Sequence, residues 1–148
     1  MVMNRLLTNP LQRSAASLAL AVLAALGLAY DAYVHLDLAH VYDRNGSSIT
    51  QGGLFRAEAV IAILVGLAVL ASDHPLVWAA AGLTGLGGAA LVVLYRYVDV
   101  GAIGPIPNMH EPVWYAEKTR SAIAEAGVGA AWVVREAVRL GGSRHRNA

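Results

Sequence analysis

The sequence predicts an all-α integral membrane protein, a four-helix bundle forming one transmembrane domain with both termini cytoplasmic. Three observations predict it. Hydrophobic residues make up 57% of the 148 positions and charged residues 14%, against roughly 25% charged in an ordinary soluble domain. Four apolar segments are long enough, or nearly so, to cross a bilayer. The basic residues gather at the ends that four crossings would put on one side. Phe occurs once while Gly occurs 15 times, so the apolar mass is aliphatic and small, as suits closely packed membrane helices.

The first segment, 14–36 (SAASLALAVLAALGLAYDAYVHL), exceeds the ~20 residues that span a hydrocarbon core. It also has the layout of a secretory signal, with Arg5 and Arg13 ahead of the apolar run and Ala25-Leu-Gly27 as a cleavage site. The run is longer than the usual 7–15 residues of such a region, which favours an uncleaved span. The second segment, 54–71, is just long enough. The third, 76–98, follows a tight Ser-Asp-His-Pro connection in which Pro75 suits a first helical turn. The fourth, 114–138, is weaker, because only Ser121 to Val134 is free of basic residues and that stretch holds Glu125. Its alternative is an interfacial helix after three crossings.

Arg5 and Arg13 precede the first span, and Arg135, Arg139, Arg144 and Arg146 close or follow the last. The positive-inside rule places these groups in the cytoplasm, with the Asp73-His74 turn beside them. Loops 37–53 and 99–113 then face outward. The second contains VGAIGPIPNMHEP and is expected to form an ordered, non-helical cap. The expected surroundings are the cell membrane, crossed several times, with a homo-oligomer or larger membrane complex as partner. Net charge +1 argues against nucleic acid. The absence of cysteine excludes disulfides, thiolate metal sites and dithiol redox chemistry.

The polar residues within the spans carry the functional signal. Asp31 and His35 lie one turn apart on one helical face, which Ser17, Ala21 and Ala24 share. Tyr33, Asp37 and His40 fall on roughly the opposite side, where the helix is near its end. Glu58 aligns with Ala62 and Gly66. Gly82, Gly85, Ala89, Val92, Arg96 and Asp99 form a stripe at 3-4-3-4-3 spacing. The fourth span adds Glu117, Lys118 and Arg120 near its outer end and Glu125 near its middle. A charge at a helix centre costs ~2.5–3.5 kcal/mol on insertion scales, so such groups pair or line water. The expectation is an outer-half cluster in which Arg96 neutralises Asp31, Glu58 or Asp99, with His35 hydrogen-bonded alongside.

Three functions compete. Asp31, His35 and Glu58 offer a metal site, with His40 and His110 as additional ligands. Imidazole with carboxylate suits zinc, iron, manganese or copper(II), although no HExxH or paired EXXH motif accompanies the pair. Haem ligated by His35 and His110 is disfavoured, because His110 sits in a loop beside Pro112. A lipid-like molecule such as a quinone or isoprenoid is the second reading, with Asp31, Glu58, Arg96, Asp99, Glu117 and Glu125 handling ligand or protons. A small membrane enzyme, a redox subunit or an oligomeric proton-coupled carrier would fit here. In the third, the protein is a structural or accessory subunit, the cluster holds helices in register, and Arg56, Arg96, Glu117 and Lys118 snorkel. Tyr30, Tyr33, Tyr42, Tyr95, Tyr97, Trp114 and Tyr115 would then form an aromatic belt. Gly82-Leu-Thr-Gly-Leu-Gly-Gly88 has no preceding strand and reads as close helix packing rather than a phosphate loop.

The stretches LYRYVDVGAIGPIPNMHEPVWYAEK at 94–118 and QGGLFRAEA at 51–59 resemble a group of short four-helix membrane proteins of actinobacteria. They cover about a quarter of the chain. The resemblance implies membrane location and brings no activity, cofactor or catalytic residue. It places Arg56, Glu58, Arg96, Asp99, His110, Glu111 and Glu117 in one outer cluster.

Overall fold

The computed structural model describes residues 13–144. Among them four helices and no strands are present: α1 (Ala15–Ala39), α2 (Gln51–Ala71), α3 (Pro75–Tyr97) and α4 (Ala116–Arg144). Helices α1, α2 and α3 are long and apolar enough to cross a membrane. Large side chains such as Leu23, Leu26, Leu64, Leu67 and Leu83 lie exposed on their outer faces, as lipid contact requires. Arg5 and Arg146 lie outside the described residues.

Local chemistry starts each helix. Ser14 and Thr50 cap α1 and α2 by accepting from the amides of Ser17 and Gly53, the side-chain role that N-caps perform. His74 caps α3 by accepting from Leu76 N at 3.2 Å, and Pro75 occupies the first turn. The connection expected to be tight is therefore a helix cap. Helix α1 runs on through Ala39, beyond the expected end at 36, so Asp37 is helical. Arg144 ends α4.

Packing is extensive between α1 and α2, α3 and α4, and α1 and α4, and sparse between α2 and α3. The α1 face buries Ala21, Ala24, Leu28, Asp31 and Ala32, matching the expected small-residue stripe. The predicted α2 alignment holds too: Ala62 and Gly66 are buried, and Gly66 packs against Leu28. Ala21 and Ala24 are fully buried.

The α3 glycines admit α4. Gly82 faces the Trp132 ring, Gly85 faces Val128 and the Glu125 carbonyl, and Gly88 faces the Glu125 carboxyl. Close packing is thus the glycines' role. On α4 the inward positions include Lys118, Ser121, Glu125, Val128, Ala131 and Arg135. This 3-4-3-3-4 stripe puts polar groups inside, which explains the weak hydropathy of the fourth segment.

At the α2–α3 turn Asp73 accepts from Trp78 Nε1 at 2.9 Å and Ser17 Oγ at 3.1 Å. Buried Arg135 donates to the Asp73 carbonyl and lies 3.4 Å from its carboxylate. Arg13 donates to the Val69 carbonyl at 2.9 Å. Arg13 and Arg135 therefore lie beside this turn, at the end opposite the two longer connections.

Candidate functional site

Helix geometry sets three carboxylates and one glycine at one level. At 1.5 Å per residue, Asp31 lies about 12 Å from the loop end of α1. Glu58 lies about 10 Å into α2, and Gly88 and Glu125 about 14 Å from the same end of α3 and α4. Antiparallel neighbours bring these levels together.

Asp31 is 1% exposed and Glu125 2%. His35 Nδ1 lies 2.9 Å from Asp31 Oδ1 and 3.0 Å from the Asp31 carbonyl oxygen. Both neighbours are acceptors, so in this arrangement Nδ1 carries the proton and Nε2 is the free nitrogen. The His35 ring meets Phe55 edge-on at 5.0 Å. Ser121 Oγ donates to Asp31 Oδ1 at 2.8 Å and lies 3.4 Å from Glu125 Oε1. A hydroxyl has one proton, and the shorter contact claims it. Glu125 Oε2 is buried and has no partner. Ligand atoms of Asp31, His35 and Glu125 lie within 4.8 Å of one another.

A cavity of about 560 Å³ opens where α2 and α3 separate. His35, Glu58, Ser121 and Glu125 line its deep end, while Tyr42, Tyr95, Glu111, Tyr115 and Lys118 line its loop end. Leu54, Phe55, Ile61, Leu83, Leu91 and Val92 supply apolar walls. Ile61, Leu83 and Leu91 are 47%, 66% and 50% exposed, so the cleft opens sideways between the helices. Ile106 and Met109 of the Gly/Pro loop also line it, which makes that loop the expected cap.

The loop end is hydrogen-bonded to itself. Tyr42 and Tyr115 hydroxyls lie 3.2 Å apart, and Tyr42 donates to Glu111 Oε2 at 3.4 Å. Burial, with the Glu111 carboxylate nearby, raises the Tyr42 phenol above its ordinary range. Burial and then Tyr42 push Tyr115 the same way. Both remain hydrogen-bond donors at neutral pH. Lys118 donates to the Glu111 carbonyl at 2.6 Å, and its ammonium stands 5.4 Å from the Trp114 ring.

The sequence candidates separate into two sets. Asp31 and His35 meet as expected, and Glu125 joins them where Glu58 was the expected third ligand. Glu58 lines the cleft beside that group. Arg96 is not the counter-charge: its guanidinium lies 4.9 Å over the Tyr97 ring, and Nε has no partner. It sits in the last turn of α3, about 12 Å along the axis from Gly88, whereas His35 is one turn from Asp31. Asp99 is exposed and accepts from Gly101 N and Asn108 Nδ2 at 3.1 and 2.7 Å, which shapes its own loop. His110 is tied to the Tyr95 carbonyl at 2.9 Å, and His40, the C-cap of α1, is exposed. Neither joins His35, so the haem pairing is not assembled. Glu117 is outside the cleft lining.

Two features were missed from sequence. Ser121 links Asp31 to Glu125, and its signal was its place one turn before Glu125. Arg56 forms a two-pronged pair with Asp43 at 2.6 and 2.8 Å rather than only reaching for the interface. Tyr42, Tyr95 and Tyr115 leave the expected belt for the cleft, while Tyr33, Tyr97 and Trp114 are exposed. No protein-family model, curated protein or solved structure matches the chain.

Proposed function

We propose that the protein is a multi-pass cell-membrane protein that binds a small, largely apolar molecule in the cleft between α2 and α3. The helices form a four-helix bundle with α4 as the fourth crossing and both termini cytoplasmic. The basic residues beside the α2–α3 turn support that orientation, and the outward Leu side chains support contact with the bilayer.

The observation that carries the ligand reading is the cleft itself. Its volume, about 560 Å³, falls within the ~300–1,000 Å³ of small-molecule sites, which are typically apolar with a few convergent polar groups. Here those groups are His35, Glu58, Ser121 and Glu125 at the deep end. A ligand entering sideways from the lipid would place its polar head there and its apolar body between Ile61, Leu83 and Leu91. His35 Nε2 and the carboxyls would hydrogen-bond that head or exchange protons with it.

Gly87 lines the cleft, and a Cβ there meets nothing within 4 Å, so Gly87→Trp fills the space from an unstrained position. Protein purified in mild detergent should release about one organic molecule per chain on solvent extraction, identified by mass spectrometry. The Gly87→Trp variant should release little of it. Equal release from both, or none from the parent, would overturn the cleft as a ligand site.

A further inference from the structure

We infer that Asp31, His35 and Glu125 hold one divalent transition-metal ion, with a coordination position left open toward the cleft. The first observation is geometric. Three donors from α1 and α4 lie within 4.8 Å of one another. Ligands of one ion at ~2.0–2.2 Å stand about 3–4 Å apart. With His35 Nδ1 2.9 Å from Asp31 Oδ1, the ion takes the place of the Nδ1 proton, the imidazole stays neutral by carrying its proton on Nε2, and Glu125 closes the set.

The second observation is independent of the cluster's composition. Glu125 Oε2 is buried without a hydrogen-bond partner, and Oε1 lies 3.4 Å from Ser121 Oγ. A buried polar atom with no partner calls for an explanation, and a missing ion is among the common ones. The fold also makes room for this carboxyl. A Cβ at Gly88 would lie 2.7 Å from Glu125 Cδ, so glycine lets the carboxyl sit between α3 and the cluster.

No Arg or Lys side chain fills that role among the described residues. Arg96 stacks on Tyr97, and the Lys118 ammonium serves the carbonyls of Glu111 and Val113. Two carboxylates, a neutral imidazole and a divalent ion make a neutral unit, which suits a low-dielectric surrounding. The donor set selects the metal class. Imidazole with carboxylate suits zinc, iron, manganese or copper(II), whereas calcium and magnesium favour all-oxygen shells.

The open position follows from which donors reach the cleft. His35 and Glu125 line it while Asp31 stands behind them. Three protein ligands with a fourth position free is the arrangement of metal sites that act on a bound molecule. The metal site rests on the cleft reading only for what would occupy that fourth position.

The test uses the full chain purified in mild detergent without chelator, then stripped and titrated with Co²⁺, whose visible bands report binding and coordination number. The parent and Glu117→Gln should bind one Co²⁺ per chain. Glu125→Gln and His35→Gln should bind at least tenfold more weakly, with helix content by circular dichroism confirming the fold. Should either of these fail to insert, Glu125→Asp, which keeps the charge and shortens the reach, should weaken binding and shift the bands. Gly87→Trp fills the cleft but leaves the three donors, so it should bind Co²⁺ while losing the organic molecule. That separates failure of the metal site from failure of the cleft reading. Absence of Co²⁺ binding by the parent, or equal binding by the parent and the donor variants, would overturn the site.

Discussion

Gly88 lies directly against the Glu125 carboxyl, so that an added Cβ would come within 2.7 Å of Glu125 Cδ and 2.8 Å of Oε1. One turn-facing neighbour away, Gly87 has open space. The two glycines therefore separate the helix's backbone preference from the site's geometry. Alanine in place of glycine favours a helix by ~0.8–1.0 kcal/mol at either position. At Gly88 it also forces Glu125 to move.

Gly88→Ala should accordingly lower Co²⁺ affinity about tenfold, roughly the 1.4 kcal/mol that a displaced ligand readily loses, with little net change in stability. Gly87→Ala should leave affinity unchanged and raise stability by roughly 0.5–1 kcal/mol. Parallel metal titration and thermal melts in detergent check both. Equal affinities in the two variants would remove Gly88 from the site.

Ser121 supplies the one hydroxyl between the buried carboxyls. Ser121→Ala leaves Asp31 Oδ1 without that donor and should cost about 1–3 kcal/mol, the usual result of orphaning a buried polar group. Ser121→Thr keeps the hydroxyl and should recover most of the loss. Unfolding in graded denaturing detergent measures both. A neutral alanine variant would show that water replaces the hydroxyl.

Asp73 joins three helices through Ser17, Trp78 and Arg135. Asp73→Ala removes the carboxylate 3.4 Å from Arg135, whose side chain is 7% exposed, and leaves Arg135 only the residue-73 carbonyl and Glu136. Breaking a buried pair from one side costs about 3–5 kcal/mol, and the partial exposure of Asp73, 30%, reduces this to roughly 2 kcal/mol. Trp78→Phe, which removes only the indole N–H, should cost about 1 kcal/mol. The two melting curves, followed by helix content, should fall in that order, and a reversed order would refute Asp73 as the hub.

The Asp43–Arg56 pair ties the first connection to α2. The Arg56 guanidinium, hydrogen-bonded to Asp43, holds its carboxyl below the ordinary value near 3.8. A depressed folded-state pKa means stabilisation that is present above the unfolded value and lost as pH falls through the folded one. The contribution is thus complete at neutral pH and disappears only in acid below about 3.8. Carboxyl-carbon NMR should show the Asp43 titration moving upward in Arg56→Gln. An unmoved midpoint would dissociate the pair.

Helix number and the inward faces of α1 and α2 were legible in the sequence. The reason is local. Span length, caps and the 3.6-residue period are set by neighbours along the chain, and Asp31 and His35 are one turn apart on any straight helix. Which acid completes their group depends on how α4 crosses α1 and on the glycines of α3 that let it approach. Periodicity cannot rank Glu58 against Glu125, because both sit at similar depth on inward faces. Arg96 shares its helical face with Gly85, yet two turns of helix carry its guanidinium away from the carboxylates. The cleft is also invisible along the chain, since it arises from α2 and α3 packing less closely than the other neighbouring pairs. Sequence alone determined four helices, three of them long and apolar enough to cross a membrane, and the polar groups they carry; tertiary packing decided that Glu125, through Ser121, meets Asp31 and His35 beside an apolar cleft.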